Sequence, residues 1–440
     1  MTDIASFVPR RISTWAWALW DWAEQPYPTI IQTFIFATYI TSKAFGNPDA
    51  NTQALSVANI IAGVLVAVIS PVFGRRSDES GKRKAWLLIN SSILIAIMAG
   101  CYFVAPTSEF LIFGLILYAL GSVVQESAFI NYYAMLKQVS TEKNIGKVSG
   151  FAWGLGYVGG ILLLLFSLVG FYLPAVPWFG VSTHNSENIR VMFLFAAAWM
   201  FIFTIPLAIW VPELPAKVGR KKESLTGAYR ALWVQLKRLR SNSPDTLRFL
   251  IASAIYRDGL AGVFSYGAIL GSVAFGFSPT SVIFFGIAAN IVAGIGAALG
   301  GVLDNRLGTR NTIAASLIGL LVAGGAVFAF AGAGQITYWI GGLALCLFVG
   351  PAQASSRTFV AKFTPQGREG EIFGLYQTTG RAASFLSPTF WALATGAAAA
   401  FGIAHTAIFG IIGIVLVLGA GLWLLLKVNP NPKILESVSL

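Results

Sequence analysis

The chain has very little charge for its length. Only 11% of its 440 residues are Asp, Glu, Lys or Arg, against roughly 25% in an average soluble domain. Hydrophobic residues make up 56% of the chain, and the mean hydropathy is +0.72. This composition excludes an ordinary soluble domain and predicts an integral membrane protein in contact with the lipid bilayer.

Cysteine and histidine are also scarce. Cys101 and Cys346 both lie in apolar runs, so a disulfide framework is not expected. The histidines are His184 and His405, too few for a His-ligated metal site, a catalytic triad or a histidine proton relay. The phosphate-binding pattern G-x-x-x-x-G-K-[ST] does not occur. We therefore expect neither an enzyme nor an ATP-driven pump, and no cofactor or metal.

The chain does have long apolar runs. A window of about 20 residues resolves them into twelve predicted membrane spans. Numbered in chain order, the predicted spans cover residues 15–41, 53–73, 85–104, 110–136, 148–169, 191–211, 249–275, 282–303, 312–331, 336–360, 372–397 and 403–426. The spacing predicts an all-α membrane protein with six spans in 1–211, a linker at 212–248 and six spans in 249–440. Apolar periodicity over 223–240 predicts an interfacial helix in the linker.

Basic residues are distributed unevenly between the loops. Most of the 30 lysines and arginines lie before span 1, in alternate loops, in the linker and in the tail, whereas Lys43 and Arg190 fall on the other side. The positive-inside rule then predicts a multi-pass protein of the cell membrane with both termini in the cytoplasm. The net charge of +12 follows from this bias. Because the charges are dispersed over short loops, no nucleic-acid partner is expected.

The two halves repeat one pattern. The spacing of Gly146, Gly150 and Gly156 recurs 224 residues later at 370, 374 and 380. Gln125 recurs 228 residues later as Gln353. A duplicated set of apolar helices is typical of secondary transporters, in which two halves rock around a site between them. The glycines themselves predict close helix packing.

The loop after span 2 fits the pattern G-x-x-x-D-x-x-G-[KR]-[KR]. Its residues are Gly74, Asp78, Gly81, Lys82 and Arg83. Gly81 permits a tight turn, and Asp78 is suited to cap a neighbouring helix start and to pair with a base across the two halves. A copy with one extra residue after the acid holds Gly300, Asp304, Gly308 and Arg310. We predict that Asp78, Asp304 and the bases beside them form a cytoplasmic gate.

Seven charged residues fall within the predicted spans. They are Asp21, Glu24, Glu126, Arg257, Asp258, Arg357 and Arg381. Each would cost roughly 2.5–3.5 kcal/mol if it faced lipid near the bilayer centre, so we expect them to face protein or water. Three glutamines share their helix faces and complete the predicted substrate or ion site: Gln25, Gln353 and Gln377. The alternative is that the charges are fixed ion pairs that hold the two halves together.

Span 1 has a further feature beside its two acids. Asp21 and Glu24 lie three residues apart on one helix face, and Pro26 and Pro28 follow directly. The prolines are predicted to bend the helix and to free backbone carbonyls for an ion or a substrate.

Several segments resemble a known family. They are WALWDWAEQPY (17–27), GKVSGFAWGLGYVGG (146–160), VPELP (211–215), YRDG (256–259), GPAQASSR (350–357) and GEIFGLYQTTGRAASFLSP (370–388). Together with the loop after span 2, they are similar to the major facilitator superfamily (MFS) and, more narrowly, to its vacuole-effluxer-like branch. The resemblance implies two pseudo-symmetric six-helix bundles and alternating access, and fungal members of the branch are associated with export of amino acids from the vacuole.

The sequence thus favours a secondary transporter that works as a monomer. We expect it to move a small polar metabolite such as an amino acid, coupled to protons through Asp21, Glu24, Glu126 or Asp258. An Arg fork suits a carboxylate, and an acid suits an ammonium group. An exporter of drugs or lipophilic compounds and a non-transporting membrane sensor are the alternatives.

Overall fold

The computed structural model describes residues 10–213, 243–365, 367–403 and 406–430. The interfacial helix predicted for 223–240 lies outside these residues. All regular elements in the described ranges are helices. Their order follows the twelve predicted spans, and the same span numbers are kept below.

The first six spans lie before the linker. Span 1 is the α-helix Arg11–Glu24, continued by a π-helical segment Tyr27–Phe34 and the short helix Phe36–Ile40. Spans 2 to 6 are Pro48–Ser80, Arg83–Cys101, Leu111–Ala134, Ile145–Ser167 and Glu187–Trp210. The α-helix of span 1 ends just before Pro26 and Pro28, because neither proline has an N–H to donate and their rings obstruct the preceding turn. The α-helix is therefore interrupted at the prolines that were predicted to bend it, and the chain continues as a π-helical segment.

The last six spans follow the linker. Spans 7 to 10 are Pro244–Ile269, Pro279–Leu307, Thr309–Ala329 and Gln335–Phe363. Span 11 is divided into Glu369–Ala382 and Leu386–Ala400, and span 12 is Gly410–Leu425. Spans 5 and 7 are extended by π-helical segments, Leu168–Tyr172 and Leu270–Ala274.

Nine of the described helices are long and apolar enough to cross a membrane by themselves. The exceptions among the twelve are spans 1, 7 and 11. Spans 1 and 11 are interrupted, and span 7 carries Arg257 and Asp258 in its middle. Irregular or charged helices are tolerated at membrane depth only where they face protein or a water-filled cavity, so these three spans indicate where the interior of the protein is polar.

Glycines bring the two halves together along two matching seams. Gly146 and Gly150 of span 5 lie so close to span 8 that an added Cβ would overlap its atoms. Gly370 and Gly374 of span 11 meet the backbone of span 2 in the same way. The repeated glycines therefore act in close packing, as small residues do between membrane helices.

Hydrogen bonds between the halves are confined to one side of the molecule. They run from Asp78, which bonds the start of span 11, to Glu126 and Arg381 in the middle of the spans. Within the described ranges, the hydrogen bonds between the halves end at that level. We call the bonded side the latch side.

Candidate functional site

A cavity of about 260 Å³ lies between the two halves, where the hydrogen bonds of the latch side end. Seven of the predicted site residues line it: Glu126, Arg257, Asp258, Gln353, Arg357, Gln377 and Arg381. The other lining residues are Tyr133, Trp153, Ala261, Tyr376, Gly380 and Ser384. Spans 4, 5, 7, 10 and 11 thus converge on one polar space. Its volume is below the roughly 300–1,000 Å³ usual for drug-sized ligands.

Four of these residues form a connected chain that we call the open cluster: Glu126, Arg257, Gln377 and Arg381. Gln377 Nε2 and Arg381 Nη2 both donate to the carboxylate of Glu126. Arg257 Nη2 donates to Gln377 Oε1 over 2.9 Å. The chain crosses from span 7 through span 11 to span 4, so it joins the two halves at the cavity.

Arg257 has no carboxylate partner among the described residues. Besides Gln377, its guanidinium donates to the carbonyl of Tyr376 over 3.1 Å and lies 3.9 Å from the centre of the Tyr376 ring. Gly380 makes room for it, since a Cβ there would lie 3.1 Å from Arg257 Nη1. The open cluster therefore holds two arginines and one carboxylate, and it carries an excess positive charge.

A second group of polar residues is almost fully buried, and we call Asp21, Ser149 and Arg357 the sealed cluster; of the three, Arg357 contributes to the cavity lining. Arg357 of span 10 is 1% exposed. Its Nη1 lies 3.2 Å from Asp21 Oδ2, its Nε donates to Ser149 Oγ over 2.9 Å, and its Nη2 donates to the Ser149 carbonyl over 2.7 Å. Arg357 thus extends from the second half into the first, where its charge is neutralised.

Aromatic rings complete the surroundings of Arg357. Its guanidinium carbon lies 5.2 Å from the ring centres of Trp17 and Tyr133, 5.5 Å from that of Tyr132 and 5.6 Å from that of Trp153. Ring faces attract a cation, and the attraction grows when water is excluded. We interpret these rings as a fixed environment that stabilises the Arg357 guanidinium, and not as a binding site for a ligand.

Glu24 and Gln25 lie behind the cavity and do not line it. Glu24 is 2% exposed. Its carboxyl accepts from Gln25 Nε2 over 3.0 Å and from Gln125 Nε2 over 2.8 Å. Both partners are neutral amides, and no base lies within ion-pair distance of Glu24 in the described part of the chain. Gln125 directly precedes Glu126 in the chain, so Glu24 bonds a residue that is adjacent in sequence to the open cluster.

Asp258 and Gln353 line the cavity but also have partners in the fold. Asp258 Oδ2 accepts from the backbone N–H of Ser387 over 2.5 Å, and its carbonyl accepts from the Ser387 hydroxyl over 2.9 Å. Asp258 therefore caps the second helix of span 11, a role that the sequence analysis did not foresee. Gln353 Oε1 lies 3.4 Å from the hydroxyl of Tyr157.

The loop after span 2 contacts the start of span 11, and we call this group of contacts the latch. Asp78 accepts from the backbone N–H groups of Gly370 and Glu371 over 2.9 and 2.8 Å. Arg83 Nη2 lies 2.6 Å from Asp78 Oδ1 and 2.6 Å from Glu369 Oε2. Asp78 thus caps a helix of the other half, but its base comes from its own loop, and Arg83 makes the contact across the halves through Glu369.

The glycines and the lysine of this loop have separate roles. Gly81 ends span 2 with φ +63°, the left-handed conformation that favours glycine. Gly74 meets the backbone of Gly370 so closely that no Cβ would fit. The Lys82 side chain is exposed, and among the described contacts it makes no ion pair. The latch therefore consists of Asp78 and Arg83, with Gly74 and Gly81 shaping the backbone.

The copy in the second half has a different geometry. Asp304 is 2% exposed and packs against Gly146, whose added Cβ would lie 2.6 Å from the Asp304 Cβ. Arg310 does not pair with Asp304 and instead donates to the carbonyl of Leu426 over 2.6 Å. The extra residue between Asp304 and Gly308 gives the turn another shape, and this turn directs Arg310 to the end of span 12.

Sequence analysis missed several partners of the charged side chains. Ser149 and the carbonyl of Tyr376 accept hydrogen bonds from arginines, and the amide of Gln125 donates one to Glu24. No sequence pattern distinguishes these three residues from ordinary span residues. The only sequence signal for Tyr376 is its position next to Gln377, and that for Gln125 is its position in the repeated Gln125–Gln353 pair. Their contacts depend on how the spans are rotated against one another.

Comparisons with known proteins show the family of the chain. The family model described as "Vacuole effluxer Atg22 like" matches residues 136–431. The uncharacterized MFS-type transporter YxiO of Bacillus subtilis is 27% identical over 406 residues, which cover 90% of this chain and 91% of that protein. Autophagy-related protein 22-1 of Neosartorya fischeri is 23% identical over 271 residues, 57% of this chain and 43% of the fungal protein, so the match spans less than half of that relative.

One solved structure gives the fold independently of sequence. The proton:xylose symporter XylE of the major facilitator superfamily superposes with a TM-score of 0.72 over 95% of each chain, at 13% identity. Identity at this level shows the fold alone. The twelve-helix MFS fold expected from the sequence is confirmed.

Proposed function

Because the chain belongs to the family of Atg22-like vacuole effluxers within the major facilitator superfamily, we propose that it exports a small zwitterionic metabolite of the amino-acid class, driven by protons. The family gives the coarser activity directly. The protein is a multi-pass membrane transporter of the MFS type and not an enzyme.

The excess positive charge of the open cluster is the observation that supports this substrate class. Two arginines flank Gln377, and only Arg381 is paired with an acid. An Arg fork binds a carboxylate through two parallel hydrogen bonds, and such charge-assisted bonds are the strong ones. Glu126 and Asp258 line the same cavity and are suited to receive an ammonium group. A zwitterion would therefore satisfy both signs of charge.

Glu24 is the carboxyl best placed to carry the coupling proton. It is buried beside the open cluster, and its partners are two amides. Asp21, in contrast, is paired with Arg357. A carboxyl without a fixed cation can alternate between its neutral and its charged form as the halves move, and this alternation is what proton coupling requires.

The topology proposed from the sequence fits the same account. The latch side holds the basic loops, so the positive-inside rule makes it the cytoplasmic side of the cell membrane. With that orientation, the described arrangement is closed toward the cytoplasm. We propose bundles of six helices in 1–211 and 249–440, a linker at 212–248, and a monomer as the working unit.

Counterflow in proteoliposomes tests this function. Vesicles loaded with one unlabelled amino acid, with trace labelled amino acid outside, should accumulate label, and an inwardly directed pH gradient should change the rate. The control variant Glu109→Gln changes an exposed acid and should behave as wild type does. Ligand binding without any counterflow would instead identify a membrane sensor, and saturable flux of lipophilic cations without flux of amino acids would identify a drug exporter.

A further inference from the structure

The carboxylate of Glu126 is held by a set of donors that would suit a free ligand. Gln377 and Arg381 lie one helical turn apart on span 11, and both donate to this one carboxylate. They belong to the second half of the protein, whereas Glu126 comes from the first. Convergent amide and guanidinium donors form the usual recognition site for a carboxylate ligand.

These donors can be reached from the cavity. The side chain of Arg381 is 34% exposed and that of Glu126 is 15% exposed. The corresponding values for Arg357 and Asp21 are 1% and 6%. A small solute in the cavity can therefore compete with Glu126 for Arg381, whereas the sealed pair offers no such access.

Arg257 adds a second cation beside the donors that hold the Glu126 carboxylate. It donates to the other end of the Gln377 amide, so a carboxylate on Gln377 and Arg381 would lie beside a second guanidinium. Among the described residues, the partners of Arg257 are the amide of Gln377 and the carbonyl and ring of Tyr376. The open cluster thus has one guanidinium more than it has carboxylates.

We propose that Glu126 holds the place of the substrate's carboxylate, and that the substrate displaces it from Arg381 and Gln377 on binding. This inference rests on the proposed function, since it concerns the anionic group of a zwitterion. The displaced Glu126 stays in the cavity wall, next to the ammonium group of the same substrate. A simple amine has no carboxylate to displace Glu126. A simple carboxylic acid has no ammonium group for the displaced Glu126 to bind.

The placeholder role can be tested with formate, without knowledge of the natural substrate. Glu126→Ala empties the site and leaves both donors. The midpoint temperature of thermal unfolding (Tm) of the purified full chain should then be higher by about 2 °C or more in sodium formate than in sodium chloride of equal ionic strength. Wild type and the exposed-acid control Glu109→Ala should show no formate-specific rise. The double variant Glu126→Ala/Arg381→Gln should lose at least half of it.

A second variant covers the case in which Glu126→Ala fails to fold. Glu126→Gln keeps the side-chain volume and should respond to formate more than wild type does. The proposal is overturned if both variants respond as wild type does, or if the rise is undiminished without Arg381. A formate response with no amino-acid counterflow by wild type would reject the proposed function and keep the carboxylate site. Counterflow by wild type without a formate response in the Glu126 variants would reject only the proposed role of Glu126.

Discussion

Apart from Arg83 and Glu369 of the latch, two arginine–carboxylate pairs join the halves in the described part of the chain, Arg357 with Asp21 and Arg381 with Glu126. The first pair is surrounded by four aromatic rings and bonded to Ser149. The second faces the cavity, where Arg381 is 34% exposed. The two pairs have the same chemistry, but the side chains of the second are far more exposed than those of the first.

Burial decides what each pair can do. Taking two charges out of water costs several kcal/mol per ion, and the cost is offset only when further hydrogen bonds satisfy the remaining donors. Arg357 has those bonds, so removing it would strand Asp21. Arg381 keeps part of its hydration and can exchange partners. The sequence left two alternatives, fixed ion pairs or a binding site; we assign the sealed cluster to the first and the open cluster to the second.

The largest expected effect is on stability. Arg357→Ala leaves the Asp21 carboxylate buried without a partner and should lower the free energy of unfolding by about 3–5 kcal/mol. Arg381→Ala should lower it by less, about 1 kcal/mol, because this pair is partly exposed and remains partly hydrated. Denaturant or thermal unfolding in detergent measures both. Equal losses in the two variants would remove the distinction between the clusters.

Binding should show the opposite order. Arg381→Gln removes a charged hydrogen bond, worth roughly 1.5–3 kcal/mol, from the proposed carboxylate site. The Kd for the amino acid should therefore rise at least about tenfold, as measured by calorimetry or scintillation proximity. Lys43→Gln is the control, because Lys43 is exposed. An unchanged Kd in Arg381→Gln would show that the amino acid does not bind at the open cluster.

Glu24 sharpens the comparison, because it is as buried as Asp21 yet has no arginine. Glu24→Gln keeps the amide contacts but cannot release a proton. We expect counterflow within about twofold of wild type, since exchange needs no net proton movement, and loss of accumulation driven by a pH gradient. Gradient-driven accumulation at the wild-type level in Glu24→Gln would show that another group carries the proton.

The smallest effect is expected at Gly380. An added Cβ would lie 3.1 Å from Arg257 Nη1 and would shift the guanidinium by a few tenths of an ångström. We expect Gly380→Ala to raise the Kd about two- to fivefold, which is less than about 1 kcal/mol. Gly286→Ala is the control, since nothing lies within 4 Å of its added Cβ. Binding unaffected by Gly380→Ala would argue against a direct role of Arg257.

Much of the fold was predictable because lipid imposes simple rules. Apolar length predicted the spans, and the repeated glycines predicted the seams between the halves, where small residues are needed. The prolines of span 1 predicted its interruption, since Pro26 and Pro28 lack the N–H of a helical bond. These features depend on local composition, which a single sequence contains.

Partners within the site were less predictable. Spacing places Arg357 and Arg381 on helix faces, but it does not give the rotation of span 10 against span 1 or of span 11 against span 4. Asp258 was expected in the site, and it also caps a helix start at Ser387. The sequence analysis did not predict the break in span 11 that creates this helix start. Arg310 was expected beside Asp304 and instead reaches span 12.

The central claim is that the open cluster, and not the sealed one, binds the substrate. Equilibrium binding of a labelled amino acid to the purified protein tests it most directly, with wild type compared to Arg381→Gln and to the double variant Asp21→Asn/Arg357→Gln, which removes both sealed charges. The account predicts saturable binding by wild type, at least tenfold weaker binding by Arg381→Gln, and near wild-type affinity in the folded fraction of the double variant. Unchanged affinity in Arg381→Gln, with affinity lost in the double variant, would contradict it.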